Sequence, residues 1–255
     1  MPEGLRLFQR FDGPADAPVL LFSNSLGTSL EMWDAQMPAF AERFRVLRYD
    51  MRGHGRSAVP PGPYSIADLG RDVLALLDAN GIGRVRFCGL SMGGMTGMWL
   101  GCHAPERLEK LVLCNTSAQL GSPDQWNTRI AIVQNEGMKG VAEGVIGRWF
   151  TPEFREREPS EVARVRRMLL ETPPAGYAAC CAAIRDQDQR EAICAVPVPT
   201  LVVAGARDPA TPPEHSRIIA SKIPGARLVE LDAAHLSNIE ARDRFTASVL
   251  EFLAA

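Results

Sequence analysis

Ser91 stands in Gly89-Leu90-Ser91-Met92-Gly93, a Gly-x-Ser-x-Gly run. A short β-rich stretch, Arg84-Val85-Arg86, leads into it, and the apolar Met95–Gly101 follows as a buried helix would. Strand, tight turn, helix is the context that lifts a serine hydroxyl to the apex of a strained turn, where it can act as a nucleophile. Small neighbours are required because helix and strand approach closely, and Gly89 and Gly93 supply the room. A serine hydroxyl is too weakly acidic to attack an ester unaided, so a base must take its proton and an acid must orient that base. Asp208 follows the apolar run Leu201–Gly205, and His235 follows Leu228–Leu231. Each sits just past the end of a predicted strand, in the order serine, acid, histidine. The chemistry implied is acyl transfer through a covalent serine adduct.

Such a reaction passes through a tetrahedral oxyanion, which needs preorganised N–H donors. Met92 follows the nucleophile at a helix N-terminus and offers one. Leu26, in Ser23-Asn24-Ser25-Leu26-Gly27-Thr28 after the strand Val19–Phe22, is expected to offer the second. Competing residues are placed less well. His54 precedes the serine turn, His103 lies at the far end of the following helix, and His215 falls on the first turn of a helix expected to be exposed. Asp232 is too close to His235 in one loop to orient it.

The elements that must position these residues can be read from patterning. Leu5–Arg10 alternates as an edge strand, with a turn at Asp12-Gly13-Pro14. Val19–Phe22 is wholly apolar, as in a parallel strand covered on both faces, and Phe44–Tyr49 is another strand. Ser65 and Asp68 form a capping box ahead of the helical stripe Ile66, Leu69, Val73, Leu76 and Leu77, which Gly81 closes. Gly93, Gly97 and Gly101 recur at one helical face, predicting close contact with a sheet. Leu108–Cys114 is a further strand. From about Gly121 to Val196 no strand-like run occurs. Ser122-Pro123 and Thr151-Pro152 read as N-caps followed by proline, and Val162, Val165, Met168 and Leu169 form a short apolar stripe ahead of Pro173-Pro174. Pro199–Gly205 restores the strand pattern. Thr211-Pro212-Pro213-Glu214 reads as an N-cap with a capping acid for a helix running to Gly225. Ala226–Leu231 is the last strand, and Ser237-Asn238-Ile239-Glu240 is expected to cap the final helix, which carries Phe245, Val249, Phe252 and Leu253. Strands alternating with helices predict an α/β fold: a mostly parallel sheet flanked by helices. Residues 1–120 and 197–255 form its core, and 121–196 are expected to be an inserted helical cap.

Whole-chain properties agree with a globular enzyme. The 255 residues are 46% hydrophobic and 23% charged, with a formal net charge of -2, which gives no reason to expect nucleic-acid or membrane-surface binding. No apolar run approaches the roughly 18 residues of a membrane span. Met1-Pro2-Glu3-Gly4 lacks the basic and apolar regions of a signal peptide, so a cytoplasmic protein is expected. The six cysteines (88, 102, 114, 180, 181 and 194) show no zinc-type pairing and are expected to be reduced, buried thiols.

Gly-Leu-Ser-Met-Gly-Gly, Arg52-Gly53-His54-Gly55-Arg56-Ser57 and the ordered Ser91, Asp208 and His235 resemble the α/β-hydrolase superfamily, whose residue order differs from those of chymotrypsin and subtilisin. The loop Asn24-Ser25-Leu26-Gly27 departs from the superfamily's usual His-Gly-x-x and resembles the 3-oxoadipate enol-lactonases. So do Met32–Gln36, Arg48–Gly55, Pro60–Tyr64, Trp149–Pro152, Ala178–Asp186, Ala204–His215 and Leu228–Asn238. The resemblance implies an α/β-hydrolase fold and hydrolysis of 3-oxoadipate enol-lactone to 3-oxoadipate in aromatic-compound degradation. It implies a small-molecule substrate and no metal or organic cofactor, and it leaves homo-oligomerisation open. Because that substrate carries a carboxylate, Trp126, Arg129 and Trp149 are expected to bind it, with Arg185 an equal outsider. The alternative is a general carboxylesterase or another hydrolase of small carboxylated esters.

Overall fold

Apolar runs become the middle of a sheet because both of their faces must be covered. In the computed structural model, which describes residues 5–254, seven strands form one sheet. They are β1 (Gln9–Asp12), β2 (Val19–Ser23), β3 (Arg45–Tyr49), β4 (Val85–Leu90), β5 (Leu108–Cys114), β6 (Thr200–Gly205) and β7 (Arg227–Leu231). Their spatial order is β1-β3-β2-β4-β5-β6-β7. β1 runs antiparallel to β3, and every other neighbouring pair is parallel. Leu20, Leu21 and Phe22 of β2, Phe87 and Cys88 of β4 and Leu111–Cys114 of β5 have no exposed surface. The chain leaves β2 toward β3 on one side and returns to β4 on the other. The loops after β2 and β4 therefore part at the reversal point where ligands of open α/β sheets bind.

Helices α1 (Met37–Phe40), α2 (Ile66–Ala79) and α3 (Met92–His103) accompany the first strands. Ser65 accepts from the Asp68 N–H at 3.1 Å, and Asp68 accepts from the Ser65 N–H at 2.9 Å, so the expected capping box forms. The α2 stripe is buried as predicted, and Gly81 (φ +65°) follows the helix end. A Cβ on Gly97 of α3 would lie 2.8 Å from the Phe87 ring and 3.1 Å from Leu111, and one on Gly101 would press on Val196 at 3.1 Å and Leu111 at 3.4 Å, so this face packs closely.

Between β5 and β6 the chain forms α4 (Pro123–Glu136), α5 (Lys139–Trp149), α6 (Pro152–Arg157), α7 (Pro159–Leu170) and α8 (Pro174–Asp186). Ser122 and Thr151 cap α4 and α6 as expected, each with proline in the first turn. Val165, Met168 and Leu169 bury the α7 stripe. After β6 come α9 (Pro213–Lys222), α10 (Ser237–Glu240) and α11 (Arg242–Ala254), the last with Phe245, Val249, Phe252 and Leu253 buried.

Several local expectations are corrected. The first strand is Gln9–Asp12 rather than Leu5–Arg10, because its partner β3 ends at Tyr49. Residues before Gln9 instead bond the following loop, where Arg6 O accepts from Ala58 N at 3.0 Å. α9 stops at Lys222 rather than continuing to Gly225, because Pro224 holds Ile223 extended (ψ 120°). Ser237 does not cap the final helix. It opens the separate turn α10, and its hydroxyl bonds Asn115 Oδ1 at 2.5 Å. The six cysteines are all free, but Cys194 is exposed and Cys102 half-buried, contrary to the uniform burial expected. Among the described residues no helix is long and apolar enough to cross a membrane. The signal-peptide reading of Met1–Gly4 lies outside the described residues.

Candidate active site

Ser91 is the first residue after β4, with φ 57° and ψ -116°. Only one other non-glycine residue among those described, Asn115, has a positive φ. The strain at Ser91 is held by its surroundings. Its N–H donates to Cys114 O at 2.8 Å, and its carbonyl accepts from Thr116 Oγ1 at 2.7 Å and Met95 N at 3.0 Å. A Cβ on Gly93 would lie 2.3 Å from Ser23 O, and one on Gly89 would lie 2.2 Å from Gly93 O, so only glycine lets α3 begin this close to β2 and β4. Ser91, Leu26 and His235 line one cavity of about 380 Å³.

Asp208 and His235 meet from the loops after β6 and β7. His235 Nδ1 lies 2.8 Å from Asp208 Oδ2. The carboxylate also accepts from Thr211 Oγ1 (2.7 Å), Asn115 Nδ2 (3.0 Å), Ala210 N (2.8 Å) and Thr211 N (3.0 Å). Burial pushes the Asp208 carboxyl up, but the imidazole beside it and these donors outweigh burial and hold it below its ordinary value. A carboxylate at Nδ1 keeps the proton on that nitrogen and leaves the Nε2 lone pair free as a base. Thr211, expected to cap α9, is instead drawn into this network, and Pro212 takes the cap position with no side-chain bond.

The loop after β2 is fixed from beneath. Asn24 accepts from Trp33 Nε1 at 2.9 Å and donates to Tyr49 O at 2.7 Å, while its carbonyl accepts from Gly93 N at 2.9 Å. The Gly27 N–H donates to His54 Nε2 at 2.9 Å. Burial pulls His54 down to about 4, so its ring is neutral and able to accept that bond. The loop thus lies beside the start of α3, so the Leu26 and Met92 N–H groups belong to neighbouring segments. Among the described residues no backbone carbonyl outside the helices and strands accepts from either N–H.

Trp126, Arg129 and Trp149 all line the same cavity. The Arg129 guanidinium lies 4.9 Å from the centre of the Trp126 ring, whose Nε1 donates to Leu120 O at 2.7 Å. Arg185 does not join them. It pairs with Asp186 and Asn127 at 2.7 Å on the surface. Its place is taken by Arg148, which sequence reasoning passed over although it adjoins Trp149. Burial lowers the Arg148 guanidinium, and the Arg129 charge lowers it further. His103 is exposed and bonds Trp99 O, and Asp232 is exposed and lies toward Arg207, so neither competes. His215 is half-buried rather than exposed, bonded to Ser117 Oγ at 2.8 Å. Among the described residues no three His, Cys, Asp or Glu side chains converge as a metal-ligand set.

The sequence matches the α/β hydrolase fold over residues 18–242. This chain belongs to the α/β-hydrolase fold family. It is 42% identical to 3-oxoadipate enol-lactonase 2 of Acinetobacter baylyi, over 93% of this chain and 89% of the relative. Its structure superposes on the enol-lactonase of Burkholderia xenovorans LB400 with a TM-score of 0.98 and 47% identity, covering 99% of this chain and 98% of that one. A hydrolase from Pseudomonas aeruginosa PA01 gives a TM-score of 0.97 at 52% identity, covering 100% and 97%. The resemblance read from the Asn24-Ser25-Leu26-Gly27 loop is thereby borne out at the level of this α/β-hydrolase's relatives.

Proposed function

We propose that the protein opens the ring of 3-oxoadipate enol-lactone with water to give 3-oxoadipate, using Ser91 as nucleophile, His235 as base and Asp208 to orient it. Residues 121–196 act as a cap that carries the substrate's carboxylate. One observation favours an anionic substrate most directly: Arg129 and Arg148 face the Ser91 cavity together, and neither forms an ion pair with a carboxylate among the described residues. Two neighbouring guanidinium groups repel, and an anion between them relieves that repulsion.

His235 Nε2 takes the Ser91 proton as Oγ attacks the lactone carbonyl. The oxyanion is received by the Leu26 and Met92 N–H groups, each such donor contributing roughly 2.7–4 kcal/mol. The ring C–O bond then breaks, and the leaving enolate, tethered through its acyl chain, takes the proton held by His235, which returns to its neutral form. Ketonisation of that enolate makes reclosure unfavourable. Water activated by His235 releases the second carboxylate and restores Ser91. We place the protein in the cytoplasm, acting on a small molecule, with no nucleic-acid or membrane partner.

Steady-state kinetics on authentic enol-lactone and on p-nitrophenyl acetate test this reading. Ser91→Ala should abolish both activities. Arg129→Ala and Arg148→Ala should raise KM for the carboxylated lactone about tenfold or more and spare the neutral ester. Equal losses on both substrates would sink the carboxylate subsite, and an active Ser91→Ala would sink the mechanism.

A further inference from the structure

Glu240 was expected to cap the final helix, and it does something else. Its Oε2 accepts at 2.9 Å from the N–H of Ala234, the residue immediately before His235. Its Oε1 accepts from the Thr151 N–H at 3.3 Å and from the Thr151 hydroxyl. On the other flank of His235, the Leu236 N–H donates to Trp149 O at 3.1 Å. The two residues flanking the histidine are therefore both tied through their N–H groups to the short segment 149–151 that joins α5 to α6. That segment begins with Trp149, and Trp149, Arg148 and His235 line the same cavity.

We infer that Glu240 is a positioning residue that couples the cap to the placement of His235. The inference rests on the functional reading above, in which His235 is the base. The carboxylate suits the task because it accepts from three donors on two chain segments at once, and hydrogen bonds to a charged acceptor are stronger than neutral ones. An amide could not do the same, since its nitrogen would face a donor. A displacement of the imidazole by about 1 Å can cost on the order of 100-fold in rate, so the backbone on either side of it must be held. Because α5 supplies both the cavity-lining arginine and the Trp149 carbonyl, a substrate seated against α5 bears on the same segment that holds the base.

The test compares Glu240→Ala, Glu240→Gln, Thr151→Val, Thr151→Ser and the Glu240→Ala/Thr151→Val double variant. Measured are kcat and KM on the enol-lactone and the rate at which a small organophosphonate modifies Ser91. Glu240→Ala and Glu240→Gln should lower kcat about tenfold or more with KM within about twofold, and phosphonylation should slow by the same factor. Thr151→Val should show a smaller loss of the same kind, and Thr151→Ser, which keeps the hydroxyl, should restore kcat. The double variant should be no slower than Glu240→Ala, because both residues act in one chain of contacts. Wild-type kcat in Glu240→Ala, a loss confined to KM, or a double variant at the product of the single effects would overturn the inference. Should Glu240→Ala fail to fold, the Thr151→Val and Thr151→Ser pair carries the test. An inactive Ser91→Ala beside a fully active Glu240→Ala would refute this coupling alone, whereas an active Ser91→Ala would refute the functional reading beneath it.

Discussion

Asn115 shows how one side chain can serve several parts of a site. It sits at the end of β5 with φ 43°, where its Nδ2 donates to Asp208 Oδ2 at 3.0 Å and lies 3.2 Å from Ala234 O. Its Oδ1 accepts from Ser237 Oγ. Asparagine tolerates this left-handed backbone better than most residues, and its amide can donate and accept at once. Asn115→Ala should destabilise the protein by about 2 kcal/mol in urea unfolding and lower kcat/KM several-fold. Asn115→Gly, which relieves the backbone, should recover part of the stability but none of the activity.

His54 makes a second residue-scale prediction. Its folded pKa lies near 4, against an ordinary 6.5, because burial opposes its charge. The unfolded chain therefore binds a proton as pH falls through 6.5 while the folded chain does not. Stability due to neutral His54 is full above 6.5 and is lost progressively down to about 4, a span worth on the order of 3 kcal/mol. Urea midpoints of the wild type should fall across pH 6.5 to 4. In a folded His54→Gln variant that slope should flatten by the share His54 supplies, and an unchanged slope would refute its assignment to this residue.

At the scale of elements, the junction of β4 and α3 depends on missing side chains as much as on present ones. Gly93 meets the backbone of β2 rather than a flexible side chain, so a methyl group there cannot be accommodated by rotation. Gly93→Ala should cost about 3 kcal/mol or more and displace Ser91 from its strained geometry. Thermal unfolding and Ser91 phosphonylation would check both consequences. An alanine variant with unchanged Tm and full reactivity would show that the start of α3 can shift without harm. The crowding at Gly93 also explains why the loop after β2 is positioned so tightly: Asn24 O receives the Gly93 N–H from the same helix turn that presents Met92.

Across the whole molecule, the sheet and the helices between β5 and β6 enclose the cavity from opposite sides. Ser91 and His235 come from strand ends, whereas Trp126, Arg129, Arg148 and Trp149 come from α4 and α5. An unreactive dicarboxylate such as adipate should bridge the two sides and raise Tm in wild type. The stabilisation should approach about 2.7 kcal/mol at 100 times its Kd. The shift should be lost in an Arg129→Ala/Arg148→Ala double variant, as followed by calorimetry at fixed ionic strength. An equal shift in both proteins would place the anion elsewhere.

Much of this was legible without coordinates because it is local. The Gly-x-Ser-x-Gly turn, the apolar strands and the Ser65 and Ser122 caps each depend on residues close in sequence, and the order of Ser91, Asp208 and His235 follows from which strand each one ends. Placement at the carboxyl ends of parallel strands then brings distant loops to one edge. What the sequence hid was how polar side chains divide between local and long-range partners. Thr211 and Glu240 carry every mark of helix-capping residues, and Ser237 that of an N-cap. In the folded chain they bond Asp208, the Ala234 N–H and Asn115 instead. A hydroxyl or carboxylate has few lone pairs, and which donors reach them is decided only when strands far apart in the chain are packed together. The same holds for Arg148, whose charge looks like that of any surface arginine until the fold turns it beside Arg129 into the cavity that Ser91 lines.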